Sequence, residues 1–290
     1  VTGVSPLQRP HRLIYFGTPA LAVPALDGLV AAGFEVLAVV TRVDKRRGRG
    51  SALMASPVKV AAERLGLPVL HRVDDALEFG ADLGVVVAFG QIIKPHVLAE
   101  LPMVNLHFSL LPRWRGAAPV ERALLSGDSV TGVCVMQVEE GLDTGAVHAR
   151  IEVPIPDDAT GDSLRKTLVT RGTELLVATL NHGLGAGEAQ LGEPLYAAKI
   201  TADDLRLDWN ASAVSRHRVV RLGGAWTTLR GRRLKVVAAD LVDANATGSE
   251  LVDGVVGGLR LSTVQPEGRA PMAWRDFVNG TKPLPGECFE

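Results

Sequence analysis

RLIYFGTPALAVPALDGLVAAGFEVLAVVT, residues 12–41, sets the fold class. It opens with a short apolar run that ends in Gly17. Apolar residues then recur at helical spacing until Gly33, and residues 34–41 return to an apolar run. Strand, turn, helix and strand follow one another, and the strands have no polar face. Such strands require a parallel sheet covered on both sides. The pattern continues outward. SPVKVAAERLGL (56–67) predicts a helix stopped at Gly66. LPVLH (67–71), ADLGVVVAFG (81–90) and MVNLHF (103–108) predict further strands, and AAPVERALLSGD (117–128) a helix. In residues 130–155 the apolar positions alternate in shorter runs, as antiparallel strands added at a sheet edge would. Residues 162–184 read as a long amphipathic helix. The stretch 184–203 has no strong period and reads as a linker. Beyond it, short β-forming runs separated by glycine predict a small barrel or sandwich. The expected organisation is therefore a Rossmann-like, mostly parallel α/β domain over 1–183, a linker over 184–203 and a mostly β domain over 204–290.

Composition limits the function classes. With 47% hydrophobic and 22% charged residues the chain can build real cores, which excludes disordered and fibrous classes. No apolar run is long enough to span a membrane, and the first residues lack the apolar core of a secretory signal, so a cytoplasmic protein is expected. Two cysteines, Cys134 and Cys288, are too few and too distant for a disulfide framework or a zinc knuckle, and no metal is expected. The net charge of −1 hides two basic clusters. Arg42, Lys45, Arg46, Arg47 and Arg49 lie in a glycine-rich segment with one Asp. Seven Arg or Lys fall between Trp209 and Lys235, Arg216, Arg218, Arg232 and Arg233 among them, with no Asp or Glu. A run of charge taken alone reads equally as a solvated face; clustered cations repel one another unless phosphates neutralise them, so two clusters in one near-neutral chain shift the reading toward a polyanion. A single glycine in FGTP (16–19), with no G-x-G-x-x-G and no Walker lysine, argues against a nicotinamide or ATP site. LDTG (142–145) resembles half of an aspartic protease site but has no second copy.

The chemistry concentrates in NLHFSLLPRWRGAAPV, residues 105–120. Residues two apart on a strand share a face, so Asn105 and His107 lie side by side while Leu106 and Phe108 face the core. Open parallel sheets bind ligands beyond the carboxyl ends of their strands, where this pair is expected. A His can move a proton near pH 7 or, as imidazolium, stabilise an oxyanion, and an Asn amide donates to the same oxygen. A carboxylate should orient the His. Asp143, in the glycine-flanked loop EEGLDTGA, is the best candidate, with Glu139 and Glu140 as competitors. No activated Ser or Cys is apparent, although Ser109 is a conceivable nucleophile. Transfer between two bound groups fits this set better than a covalent enzyme intermediate.

NLHFSLLP followed by LDTG resembles the folate-dependent formyltransferases. The continuations RWRGAAPV, FGTPALAVPAL, GRGSALMASPVKVAA and LRLSTVQPEGRAPMAWRDFVNG are similar to the methionyl-tRNA formyltransferase family in particular. The likeness runs from about Arg12 to Gly280. It implies Asn105, His107 and Asp143 as the catalytic trio, and Ser109, Leu110, Leu111 and Pro112 as a folate-binding segment. It also implies Arg49 as a loop arginine that grips the tRNA acceptor end, and an OB-like C-terminal barrel that binds tRNA. The expected cosubstrate is 10-formyltetrahydrofolate, the expected acceptor methionyl initiator tRNA, and the expected state a monomer. Alternatives are a formyltransferase for another amine, a hydrolase that releases formate from the same folate, and a tRNA-binding protein without activity. Arg113 and Arg115 either touch phosphate or pin the turn.

Overall fold

The structure is a computed structural model of the 290-residue chain and describes residues 9–46, 53–252, 254–284 and 286–290. The chain divides into two compact units. The first holds the described residues up to Pro119, Val130–Pro154 and Arg165–Ala197; the second holds Val120–Ser129, Ile155–Leu164 and Ala198–Glu290.

The first unit is built on a seven-stranded sheet in the spatial order Val147–Pro154, Val130–Gln137, Met103–His107, Leu83–Val87, Arg12–Gly17, Glu35–Val40, Val69–Leu70. The five strands from Met103–His107 to Val69–Leu70 run parallel, and Val130–Gln137 and Val147–Pro154 are added antiparallel at one edge, as their alternating pattern predicted. Leu13, Ile14, Tyr15 and Phe16 are fully buried, which is why their strand reads as one continuous apolar run. The helix Pro57–Arg64 begins where Ser56 Oγ accepts the Lys59 N–H at 3.0 Å, with proline at its first turn. Gly172 lets the long helix Gly161–His182 approach the sheet under the His107 strand: a Cβ there would sit 3.0 Å from Val133 and 3.4 Å from Leu106. That contact fixes the floor of the site.

The second unit carries an antiparallel sheet in the order Trp226–Leu229, Arg232–Leu241, Leu259–Pro266, Val255–Val256, Leu251–Val252, with Met272–Ala273 also paired to Leu259–Pro266. The arrangement is consistent with the OB-like domain expected. Leu234 and Val236 point inward while Arg233 and Lys235 point to solvent, the alternation of a sheet with one wet face. The core joins Leu207, Val220, Leu261 and Val264 to an aromatic group of Trp209, Phe277 and Phe289.

Two helices in this unit, Ala213–Leu222 and Trp274–Thr281, were not expected in a stretch read as mostly β. The first is capped by Ser212, whose side chain accepts the Ser215 N–H. Its inward face is Ala213, Arg216 and Val220, at helical spacing. An arginine at the central inward position breaks the apolar period that would have disclosed it. The expected phosphate role of Arg216 is corrected by the same fact. The residue is 1% exposed, and its guanidinium donates to the carbonyls of Asp208, Trp209, Ala211, Ala246 and Gly257. It holds three chain segments together, and burial lowers its pKa.

Candidate active site

Three segments build the site: the end of the Met103–His107 strand, the turn that follows it, and the loop after Val130–Gln137. Register sets the first relation. Asn105 stands opposite Met136 and His107 opposite Cys134, so the loop leaving Gln137 must return beside the Asn105–His107 face. Asp143 is the carboxylate that arrives there. Its Oδ1 lies 3.5 Å from Asn105 Nδ2, and its Oδ2 lies 3.7 Å from His107 Nδ1. Glu139 and Glu140 are exposed. The carboxylate is anchored by the Gly116 N–H, which donates to Oδ2 at 2.7 Å.

His107 is almost fully buried, and its Nε2 is 2.9 Å from the Trp114 carbonyl. A carbonyl only accepts, so Nε2 carries a proton, and Nδ1 is the ring nitrogen on the Asp143 side. A proton on Nδ1 would make the ring an imidazolium paired with the Asp143 carboxylate. Trp114 has φ of 64°, a left-handed conformation that is rare for a bulky residue; the turn needs it to aim this carbonyl at the ring. Behind the pair, burial pushes the Cys134 thiol up, so it remains a neutral packing group.

Ser109 and Leu111 differ from expectation. Ser109 is fully buried and its Oγ donates to the Arg113 carbonyl at 2.6 Å, a turn bond that removes it as a nucleophile. Leu111 belongs to a core cluster with Cys134, Met136 and Val147. Leu110 and Pro112 of the same segment are half-buried.

The stretch expected to be a linker is instead tied into the site. Glu188 bridges to Val147, and Tyr196–Ala197 pairs parallel with Arg115–Gly116. Between these ties, Gln190 donates to the carbonyls of Asp143 at 2.9 Å and Gly145 at 2.8 Å, and its Oε1 accepts both Nε and Nη2 of Arg115. Arg115 thus pins the turn. Trp114, Gly116 and Gln190 were missed by sequence reasoning. The glycine in RWRG was the one visible sign of a close approach; Gln190, in a stretch without periodicity, gave none.

The basic residues scatter by role. Lys45 and Arg46 are exposed on a two-residue strand paired with Leu53–Met54, and Arg42 donates to the Gly90 carbonyl. Arg47 and Arg49 lie outside the described residues. Arg218 is half-buried and donates to the Ser126 carbonyl at 3.3 Å. Arg232 and Arg233 are exposed, Arg233 stacking 4.1 Å above the Trp226 ring, and both line a groove of about 420 Å³ with Arg269. Among the described residues no group of three or more His, Cys, Asp or Glu could hold a metal ion, and no helix is long and apolar enough to cross a membrane.

This site geometry can be set beside known proteins. Residues 11–180 match the formyl transferase family and residues 199–282 the formyl transferase C-terminal domain. The methionyl-tRNA formyltransferase of Methylobacterium nodulans is 42% identical over 96% of this chain and 98% of its own. That of Streptomyces coelicolor is 43% identical over 95% and 98%. The chain belongs to the methionyl-tRNA formyltransferase family. Solved structures at lower identity share the fold. The N-formyltransferase from Helicobacter canadensis, in complex with folinic acid and dTDP-3-aminofucose, superposes with a TM-score of 0.63 at 16% identity, covering 88% of this chain and 99% of that one. HypX from Aquifex aeolicus, in complex with tetrahydrofolic acid, gives 0.60 at 15% identity, covering 97% of this chain and 49% of that one. Both domains expected of a methionyl-tRNA formyltransferase family member are therefore represented.

Proposed function

We propose that the chain transfers the formyl group of 10-formyltetrahydrofolate to the amino group of methionyl initiator tRNA, giving N-formylmethionyl-tRNA. The observation that carries this reading is the convergence of Asn105, His107 and Asp143 within 3.7 Å contacts at the end of one strand, with Asp143 fixed by a backbone N–H. The neutral amine adds to the formyl carbon. Asn105 Nδ2 and the His107 imidazolium stabilise the oxyanion that forms, and Asp143 supports the imidazolium charge. The proton leaving the amine passes to Asp143, directly or through water. Collapse of the tetrahedral species breaks the bond to the folate nitrogen, which takes up the proton that Asp143 received from the amine, so the carboxylate ends the turnover as it began. Holding donor and acceptor in register supplies much of the rate, since effective molarity can be worth about 7–11 kcal/mol.

Leu110, Pro112 and the backbone around them line the folate side. Lys45, Arg46, Arg232 and Arg233 are the exposed cations proposed to meet tRNA phosphates, with Arg42, Arg47, Arg49 and Arg218 completing the set. We infer a monomer, since every group invoked comes from one chain, and a cytoplasmic location, in keeping with an acceptor used in translation. The test is transfer from labelled 10-formyltetrahydrofolate to methionyl initiator tRNA, run beside elongator tRNA and an amino sugar. Loss of one oxyanion donor costs about 10²-fold or more, so Asn105→Ala and His107→Ala should lose at least that in turnover while remaining folded. Near-wild-type turnover in either variant would sink the assignment.

A further inference from the structure

We propose that Gln190 is a positioning residue for Asp143, an inference that rests on the formyl-transfer reading above. Its amide is saturated. Both hydrogens of Nε2 are used, one on the carbonyl of Asp143 and one on that of Gly145, and Oε1 takes two donors from the Arg115 guanidinium. A charged donor on the oxygen polarises the amide and strengthens the two bonds made by its nitrogen.

The loop needs this support. Asp143 has φ of 52°, a left-handed conformation that is uncommon outside glycine and that aspartate adopts more readily than most residues. Its neighbours Glu140, Gly141, Leu142 and Thr144 are not all packed away: Glu140, Gly141 and Thr144 are exposed and Leu142 is 61% exposed, so packing does little to hold the loop in that shape. Gln190 supplies the hold from outside, bonding the carbonyl of Asp143 itself. Gly116, whose N–H binds the Asp143 carboxylate, directly follows the Arg115 that binds Gln190. Backbone and carboxylate of Asp143 are thus fixed to the same two-residue strand by separate ties, and Gln190 is the link in one of them. Its own surroundings give it little structural work, since Ala189 is exposed and Leu191 is 85% exposed.

The experiment is a double-mutant cycle between Gln190 and Asp143, read in kcat and KM for formyl transfer to methionyl initiator tRNA. Misplacement of a reacting group by about 1 Å costs on the order of 10²-fold, so Gln190→Ala should lower kcat by roughly 10- to 100-fold while KM for both substrates stays within about threefold. Gln190→Glu keeps size and the acceptor for Arg115 but sets a carboxylate oxygen against two carbonyls, and should do no better than alanine. In an Asp143→Asn background the further substitution Gln190→Ala should cost less than about threefold, because the two residues act as a unit. Gln190→Met, of matching length, carries the same cycle if the alanine variant is not recovered folded. Wild-type kcat in Gln190→Glu, or full multiplicative loss in the double variant, overturns the proposal. Loss with Asp143→Asn but none with Gln190→Ala overturns this inference alone, whereas an Asp143→Asn variant with wild-type turnover overturns the reading beneath it as well.

Discussion

Replacing Arg216 should destabilise the second unit without weakening contact with RNA. The guanidinium satisfies carbonyls of Asp208, Trp209, Ala211, Ala246 and Gly257, at distances that include 3.0 Å to Trp209 and 2.8 Å to Ala246. It also lies 5.3 Å from the centre of the Trp209 ring. Charge-assisted bonds are worth about 1.5–3 kcal/mol each, but desolvation of the cation opposes them, and removing one partner from a buried charged network costs about 3–5 kcal/mol. At around 4 kcal/mol, Arg216→Ala should lower the melting temperature of a unit of this size by roughly 15 °C. Arg216→Lys retains the charge but has three donors and no planar fork, and should lose about half as much. Three of the four tryptophans, Trp209, Trp226 and Trp274, lie in this unit, so intrinsic fluorescence follows its unfolding. The second readout is the dependence of tRNA affinity on salt. A buried cation neutralises no phosphate, so Arg216→Ala, assayed well below its melting point, should leave that slope unchanged. Wild-type stability in both variants, or a reduced slope in Arg216→Ala, would refute the argument.

Other outcomes follow from the same geometry. Arg232→Ala should weaken tRNA binding evenly across sequences and lower the salt slope by about 1, and an unaltered slope would remove Arg232 from the interface. Gly116→Ala places a Cβ 3.1 Å from the Ala197 carbonyl oxygen at φ of 114°, a conformation closed to alanine. It should displace the N–H that binds Asp143 and cut kcat by on the order of 10²-fold, which steady-state kinetics will check. The Arg122 guanidinium and the Thr201 N–H hold Asp204 down to about 2. Its folded-state pKa lies below the unfolded one, so its stabilisation is complete above about 4 and disappears as pH falls through 2. Asp204→Asn should flatten that part of the acid stability curve; a curve that keeps the wild-type shape would show the pair to be idle.

The parallel sheet was legible because its central strands, Arg12–Gly17 and Leu83–Val87, are buried on both sides and so write apolar runs, and the edge strand Val147–Pro154 because its burial is partial and interrupted; Val130–Gln137, one place further in, is buried on both faces. Asn105 and His107 were legible through same-face spacing, Asp143 through a glycine-flanked loop after the neighbouring strand. What escaped shares a cause: the information sat in backbone atoms or in long-range partners. The Trp114 carbonyl and the Gly116 N–H contribute no side-chain chemistry for a pattern to reveal. Gln190 acts across 47 residues from Asp143 and 75 from Arg115, and nothing local marks it. Arg216 misled in the opposite sense, since charge normally faces water and only the fold supplies carbonyls enough to bury it.

The late strap over residues 188–197 separates two events in the life of the chain. All seven strands of the large sheet have been synthesised once residue 154 is made, yet the ties from Gln190 and from Tyr196–Ala197 wait for the whole of the long helix Gly161–His182 and the strap itself. A nascent chain in that interval carries Asn105, His107 and Asp143 but lacks what holds the turn and the loop in register. In chain order, the large sheet is therefore complete before the segment that ties down the Asp143 loop has been made.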